Sequence, residues 1–347
     1  MSGAAGKPRP LALSLGDPAG VGPEIIVKAW RALRETGPVF MVVGDYDAVV
    51  AAAGVQHASA VRRVGGPDEA EAIFTDALPV LDLPLNSPVV AGKPSPSYAG
   101  AVIRWIETSV GLALAGGVSG LVTAPIAKAP LYEAGFKFPG HTEFLAELTS
   151  GVAHDGERGP VMMLAARDLR TVLVTIHVSL ADAIRGATTE AIIRTGLATA
   201  DALRRDFGVA RPRLALAALN PHAGEGGALG REEIETINPA AARLRELGVL
   251  CTDARPADTL FHEDARSAYD AVICLYHDQA LIPIKTIDFW AGVNVTLGLP
   301  IVRTSPDHGV GFDIAGRGLA RPDSLIAAIR MAGEIAARRD AARAPGR

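Results

Sequence analysis

The chain has 347 residues, of which 49% are hydrophobic and 21% charged, with a net charge of −4 at pH 7. This length suits two domains or one large α/β unit, and the composition is that of a globular protein rather than a disordered chain. The slightly acidic balance argues against nucleic acid as a partner, and no stretch of about 20 apolar residues predicts a membrane span. The two cysteines, Cys251 and Cys274, exclude a disulfide scaffold and predict a cytoplasmic protein.

Apolar runs of strand length alternate with helical patterns along the whole chain. The runs predicted as buried strands are residues 11–15, 39–45, 120–125, 161–166, 171–177, 213–219 and 269–277. The predicted helices are 23–33, 96–116, 143–150, 189–208 and 322–340. The strands alternate little between polar and apolar residues, as expected of strands covered on both faces. The order therefore predicts an α/β fold with mostly parallel sheets.

Two Pro- and Gly-rich stretches are candidate boundaries between domains. The first surrounds residues 136–141 and the second lies within residues 292–309. We predict a first α/β lobe of residues 1–135 plus 305–347 on the cofactor side. Residues 136–304 would form a second α/β lobe that carries the metal and substrate residues, with the site in the cleft between the lobes.

Three histidines occupy equivalent places, each at or just beyond the carboxyl end of a predicted strand. They are His177, His222 and His277. That edge of a parallel sheet is where α/β proteins bind ligands. Three neutral imidazoles suit a divalent transition metal with positions open to a substrate. Three unrelated histidines, each bonded to backbone, are an equally good interpretation of the pattern alone.

Two further segments combine polar groups with apolar surroundings. In PGHTEF, Thr142 is a candidate N-cap beside His141, and a helix start of this kind suits an anion, although a plain capped helix explains the motif as well. Lys285, Asn294 and Arg303 interrupt apolar runs. A substrate phosphate or carboxylate would neutralise such buried cations, unless Asp288 or Asp307 pairs with them or the two cations reach solvent.

Two glycine-rich segments are weak evidence for a nucleotide-binding loop. GDPAGVGPEI at 16–25 is not a GxGxxG loop, and its Pro23 fits the first turn of a helix. HGVGFDIAGRG at 308–318 holds one acid, Asp313, which could reach a ribose hydroxyl.

Together these motifs resemble the 4-hydroxythreonine-4-phosphate dehydrogenase family of pyridoxal phosphate biosynthesis. Those that carry the resemblance are GDPAGVGPEI, LVTAPIAK, PGHTEF, NPHAGEGG, PADTLF, YHDQALIPIK and GVNVTLGLPIVRTSPDHG, within residues 10–332. The resemblance implies a two-lobed fold of the isocitrate/isopropylmalate-dehydrogenase type. It also implies a homodimer with a shared active site.

The resemblance further implies a role for each matching residue. A divalent metal (Zn, Mg or Co) would bind His177, His222 and His277. A small phosphorylated amino-acid substrate would bind His141, Thr142, Lys285, Asn294 and Arg303. NAD or NADP would lie near Gly309, Asp313 and Gly316.

The implied reaction is oxidation of 4-phosphohydroxy-L-threonine at C3 and decarboxylation to 3-amino-2-oxopropyl phosphate, in pyridoxine 5'-phosphate biosynthesis. Asp278 and Asp258 are candidate bases, and either could instead orient a metal ligand. A sister dehydrogenase acting on 4-phospho-D-threonate, 4-phospho-D-erythronate or an aromatic cis-dihydrodiol is the alternative. Acyl transfer to phosphate and non-catalytic binding of metal or phosphate are two further classes.

Overall fold

The structure is a computed structural model that describes residues 9–343, so predictions for residues 1–8 and 344–347 lie outside it. Within that range the chain divides into two compact units. The first holds the chain up to Gly151 and from Ile301 onward, and the second holds Val152–Pro300. Residues 136–151 and 301–304 therefore lie in the first unit, whereas the sequence analysis placed them in the second lobe.

The strands of the described residues are β1 (Leu11–Ser14), β2 (Phe40–Gly44), β3 (Val61–Arg63), β4 (Leu78–Asp82), β5 (Leu121–Thr123), β6 (Val161–Ala166), β7 (Leu169–Leu173), β8 (Arg213–Ala217), β9 (Leu250–Arg255), β10 (Ala271–Cys274), β11 (Val293–Leu297) and β12 (Arg303–Pro306). The helices are α1 (Gly22–Leu33), α2 (Tyr46–Ala53), α3 (Pro67–Ile73), α4 (Ala99–Leu114), α5 (Lys128–Glu133), α6 (His141–Leu148), α7 (Leu180–Gly186), α8 (Thr189–Arg205), α9 (Asn238–Glu246), α10 (Glu263–Arg266), α11 (His277–Ile287) and α12 (Asp323–Arg343). No helix within residues 9–343 combines the length and the apolar character that crossing a membrane requires.

The first unit is built on parallel strands in the order β3-β4-β2-β1-β5-β12. Every residue of β1, β2, β5 and β12 is buried. Helix α4 packs against β1 and β2, and α12 packs against β5 and β12. Pro23 stands in the first turn of α1, where its missing N–H costs no hydrogen bond.

The second unit has the strand order β11-β6-β7-β10-β8-β9. Strands β7, β10, β8 and β9 are parallel, whereas β6 pairs antiparallel with both β7 and β11. Helix α11 packs on β6 and β7, and its Ile284 joins a buried cluster with Leu164, Leu173 and Val272. The prediction of an α/β fold with mostly parallel strands is confirmed. The stretch 292–309 is more regular than predicted, because it contains β11 and β12.

We expect Asp45 to be a main stabilising residue of the first unit. It caps α2, and its carboxylate accepts hydrogen bonds from the N–H of Ala48 at 2.7 Å and of Leu85 at 2.8 Å. Asp45→Ala would leave the buried N–H of Ala48 and the half-buried N–H of Leu85 without this acceptor. It should lower the free energy of unfolding by about 2 kcal/mol, measured by urea unfolding.

Asp47→Ala is the matched control in the same helix. The Asp47 side chain is 87% exposed and faces Arg63 at 3.5 Å. A pair of that kind contributes less than about 1 kcal/mol. If Asp45→Ala and Asp47→Ala lowered the free energy of unfolding equally, the role assigned to Asp45 would be wrong.

Candidate active site

The three predicted metal histidines follow three neighbouring parallel strands. Strand β10 pairs with β7 on one side and with β8 on the other. His177 lies in the loop after β7, His277 is the first residue of α11 after β10, and His222 lies in the loop after β8. The fold therefore brings the carboxyl ends that precede all three histidines to one edge of the sheet.

Two of these histidines are direct neighbours. The ring centroids of His177 and His277 are 5.7 Å apart, and both rings line a cavity of about 330 Å³ with Tyr276 and Asp278. His277 Nδ1 lies 2.8 Å from Asp278 Oδ1. A carboxylate in this position orients an imidazole and leaves its other nitrogen for a metal ion.

The third histidine does not join this pair in the structure. Among residues 9–343, no three His, Cys, Asp or Glu side chains lie close enough together to hold a metal ion. His222 is exposed, and its backbone has a φ of 53°. Left-handed backbone continues through Ala223, Gly224, Glu225 and Gly226. For residues other than glycine this conformation costs about 1–2 kcal/mol each.

The two candidate bases share a second cavity of about 330 Å³. Asp258 and Asp278 line it together with Tyr276 and Gln279. The sequence analysis gave Gln279 no role, although it quoted the YHDQ motif. Its side chain accepts from the N–H of Leu275 and donates to the carbonyl of Ala218, each at 2.7 Å. Gln279 thus ties the end of β10 to the end of β8.

In the first unit, Arg303 is buried within β12. It is 3% exposed, and its Nη2 donates to Thr123 Oγ1 at 2.7 Å. Burial lowers the pKa of Arg303 to about 10, while the nearby carboxylate of Glu143 acts in the opposite direction. The guanidinium therefore remains charged at neutral pH, and the interpretation of Arg303 as a surface residue is wrong.

His141 is the first residue of α6, and the N-cap is Gly140. The prediction of Thr142 as N-cap is therefore wrong, because the helix has already begun when the chain reaches Thr142. Burial, then the charges of Arg303 and Lys128, hold the pKa of His141 well below its usual value of 6.5. No group within residues 9–343 lies at hydrogen-bond distance from its enclosed Nε2 atom. His141 is thus a neutral imidazole beside positive charges.

Lys285 and Asn294 belong to the second unit. Lys285 lies in the last turn of α11, with its Nζ 5.2 Å from the centre of the Phe289 ring. Asn294 pairs with Leu164 across β11 and β6, so it shares the face of the sheet on which α11 packs. Its Oδ1 is buried and has no hydrogen-bond partner among the described residues. A ligand on this face would find an amide oxygen ready to accept a hydrogen bond.

The predicted cofactor residues lie in the loop between β12 and α12. Gly316 has a φ of 73°, and a Cβ there would lie 2.8 Å from the Cβ of Ala91. Gly309 has open space around it, and Asp313 is exposed. Gly316 also lines a cavity of about 480 Å³ with Gly20 and Lys28. Glycine at 316 is therefore a steric requirement of the loop.

The two cysteines, Cys251 and Cys274, are buried free thiols. Burial raises the pKa of Cys251 to about 12 and also raises that of Cys274. Neither is therefore a thiolate nucleophile at neutral pH.

Comparison with known proteins decides the family. Residues 37–332 match the family described as Pyridoxal phosphate biosynthetic protein PdxA. A 4-hydroxythreonine-4-phosphate dehydrogenase of Caulobacter vibrioides is 70% identical over 331 residues, which are 95% of this chain and 98% of that protein. The chain belongs to the PdxA family.

Two other PdxA-family relatives support the same family assignment. The 4-hydroxythreonine-4-phosphate dehydrogenase of Maricaulis maris is 57% identical over 331 residues, 94% of this chain and 97% of that protein. The crystal structure of the enzyme from Klebsiella pneumoniae has a TM-score of 0.82 at 37% identity, and the match covers 94% of this chain and 99% of that one. The predicted family and the predicted dehydrogenase class, an oxidoreductase of pyridoxine biosynthesis, are confirmed.

We expect His141 to make folding stability depend on pH. Its pKa is lowered in the folded chain, so below pH 6.5 the unfolded chain binds a proton that the folded chain does not. The resulting loss of stability is absent above pH 6.5 and grows as the pH falls, by at most about 1.4 kcal/mol per pH unit. Urea unfolding between pH 7.5 and 5.5 should give a steeper decline for the wild type than for His141→Gln.

His57→Gln, at an exposed position, is the control for this comparison. Identical declines for the wild type and His141→Gln would show that His141 titrates alike in the folded and unfolded chains.

Proposed function

We propose that this chain oxidises 4-phosphohydroxy-L-threonine at C3 with NAD or NADP, and that the product then loses carbon dioxide to give 3-amino-2-oxopropyl phosphate. The observation that carries the proposal is the placement of three histidines after β7, β10 and β8, three neighbouring parallel strands. The names of its PdxA-family relatives, both 4-hydroxythreonine-4-phosphate dehydrogenases, support the same substrate.

His177, His222 and His277 would hold a divalent ion such as Zn, Mg or Co. The residues fit such an ion, because all three offer imidazole nitrogen and Asp278 holds the ring of His277 through its Nδ1 atom. When bound, the ion would supply Lewis-acid polarisation of the substrate's C3 hydroxyl.

The remaining polar residues would bind the two anionic ends of the substrate. Arg303 supplies a buried, fixed positive charge and a planar set of donors that suits a phosphate or carboxylate. His141 is neutral, so its ring can hydrogen-bond an anion without adding a charge next to Arg303. Thr142, Lys285 and Asn294 would complete the contacts with a hydroxyl, an ammonium group and an amide.

We assign different roles to the two acidic candidates. Asp278 is already bonded to His277, so we propose that it orients this histidine. Asp258 lines the adjoining cavity and would take the C3 hydroxyl proton while the hydride leaves C3 for the nicotinamide ring. The resulting β-keto acid loses carbon dioxide, and the carbon that held the carboxylate then takes up a proton.

The loop that holds Gly309, Asp313 and Gly316 would contact the dinucleotide. This proposal is supported by the close approach of Gly316 to Ala91 and by the neighbouring cavity of about 480 Å³. The homodimer with a shared active site and the cytoplasmic location stay predictions of the family resemblance and of the cysteine content.

Turnover of two substrates tests the function. We expect the purified protein with a divalent metal to reduce NAD or NADP with 4-phosphohydroxy-L-threonine, followed at 340 nm. A chelator or His222→Ala should abolish the signal. Parallel assays use 4-phospho-D-threonate, 4-phospho-D-erythronate and an aromatic cis-dihydrodiol. Turnover of one of these compounds alone would replace the proposed substrate but keep the dehydrogenase, and no turnover of any would overturn the reaction.

Asparagine variants separate the roles of the two acids. Asp278→Asn should weaken metal binding about 10–100-fold, because it disturbs the orientation of His277. Asp258→Asn should leave metal affinity unchanged and lower kcat by about 10²–10⁴-fold, because it removes the base. Metal titration and steady-state kinetics on both variants measure the two effects, and the reverse pattern would exchange the assignments.

A further inference from the structure

Glu233 is a buried carboxylate that hydrogen-bonds to the segment just before His222. It is 2% exposed and opens a π-helical turn, Glu233–Ile237. Short π-helical turns are rare and occur frequently at functional sites. Neither the predicted site nor the proposed reaction uses Glu233.

Among the described residues, the Glu233 carboxylate accepts three hydrogen bonds, and all three come from the segment just before His222. Oε1 accepts from the backbone N–H of Leu219 at 2.9 Å and of Asn220 at 2.8 Å. Oε2 accepts from Asn220 Nδ2 at 3.0 Å, and the same amide group donates to Glu232 Oε2 at 2.6 Å. Because the carboxylate is buried, these bonds replace the water that it would otherwise bind.

The loop that follows is held in a conformation that its own residues disfavour. His222, Ala223 and Glu225 have φ values of 53°, 53° and 46°. Backbone of this kind persists only where the surrounding structure imposes it, and it is concentrated at functional sites. Glu233 also contacts the loop directly, since a Cβ on Gly224 would lie 2.7 Å from its Oε2.

We propose that Glu233 is a positioning residue that holds His222 in place for metal binding. Its carboxylate fixes the backbone at residues 219 and 220, and thereby the point from which the left-handed segment 222–226 begins. The inference rests on the proposed metal-binding role of His222. It adds to that role the group that fixes the backbone leading into the His222 loop before the metal arrives.

A metal titration of the apoprotein tests this role without measuring turnover. Glu233→Gln keeps the size of the side chain but turns one acceptor oxygen into a donor, so at least one of the three bonds is lost. We expect Co²⁺ affinity, followed by visible absorption, to fall about 10–100-fold. Hydrogen exchange of the amides at 219–227 should become faster at the same time.

Glu235→Gln is the matched control, because it removes the same charge from the same turn. The Glu235 side chain is 59% exposed and pairs with Arg231. This variant should keep wild-type Co²⁺ affinity and wild-type exchange. Asn220→Ala is a second variant, which removes the contacts of the Asn220 side chain but keeps the bonds from both backbone N–H groups to Glu233. It should weaken Co²⁺ binding in the same direction but less.

The variant His222→Ala distinguishes failure of the proposed metal site from failure of the positioning role of Glu233. If His222→Ala weakens Co²⁺ binding and neither Glu233→Gln nor Asn220→Ala does, the positioning role is wrong and the metal site stands. If His222→Ala leaves Co²⁺ affinity unchanged, the proposed metal ligands are wrong and the role of Glu233 falls with them. Faster exchange with unchanged affinity in Glu233→Gln would reduce Glu233 to a purely structural residue.

Discussion

The candidate site of the second unit depends on the parallel register of three strands. Ile273 of β10 pairs with Val172 of β7 and with Leu216 of β8, so the three strands end at nearly the same level. Each chain segment that leaves this edge needs only a few residues to reach a histidine. The hydrogen bonds of Gln279 to Leu275 and Ala218 keep two of the ends together. Register, rather than any local motif, is therefore what relates residues that are far apart in the sequence.

The proposed anion site of the first unit depends on the burial of a positive charge. A guanidinium 3% exposed, as in Arg303, is costly unless hydrogen bonds and opposite charge offset the lost hydration. Thr123 supplies one bond, and Glu143 supplies negative charge nearby. Burial, followed by the charges of Arg303 and Lys128, lowers the pKa of His141 and keeps it neutral. An anionic group arriving here would meet donors whose orientation the fold has already fixed.

Much of this arrangement could be predicted from the sequence, because it follows from local patterns and one topological rule. Unbroken apolar runs predict buried strands, and strand–helix alternation predicts parallel pairing, so histidines just after such runs lie at one edge. The antiparallel β6–β7 hairpin was missed, since a strand covered on both faces looks alike in either pairing. Its tight turn uses Arg167 at a φ of 51°, a conformation that an arginine does not suggest.

The N-cap of α6 and the conformation of the His222 loop could not be predicted for a related reason. Threonine and glycine are about equally common as N-caps, so preference alone does not choose between Thr142 and Gly140, and the helix begins at His141. At His222, the residues themselves disfavour the left-handed backbone, and the group that imposes it, Glu233, lies in the next helical turn. Local preferences describe what a segment does alone, whereas both positions are set by neighbours that only the folded chain supplies.

The left-handed loop that carries His222 lowers the stability of the folded chain. Three left-handed residues that are not glycine cost about 1–2 kcal/mol each, a cost that glycine at the same positions would avoid. A loop of glycines, however, would sample many conformations, and a ligand would have to select one of them. On the proposed role of His222, a loop backbone fixed by a buried carboxylate leaves fewer conformations for a metal ion to select from. The strain at His222 is then the energetic cost of a fixed backbone at the edge of an otherwise regular sheet.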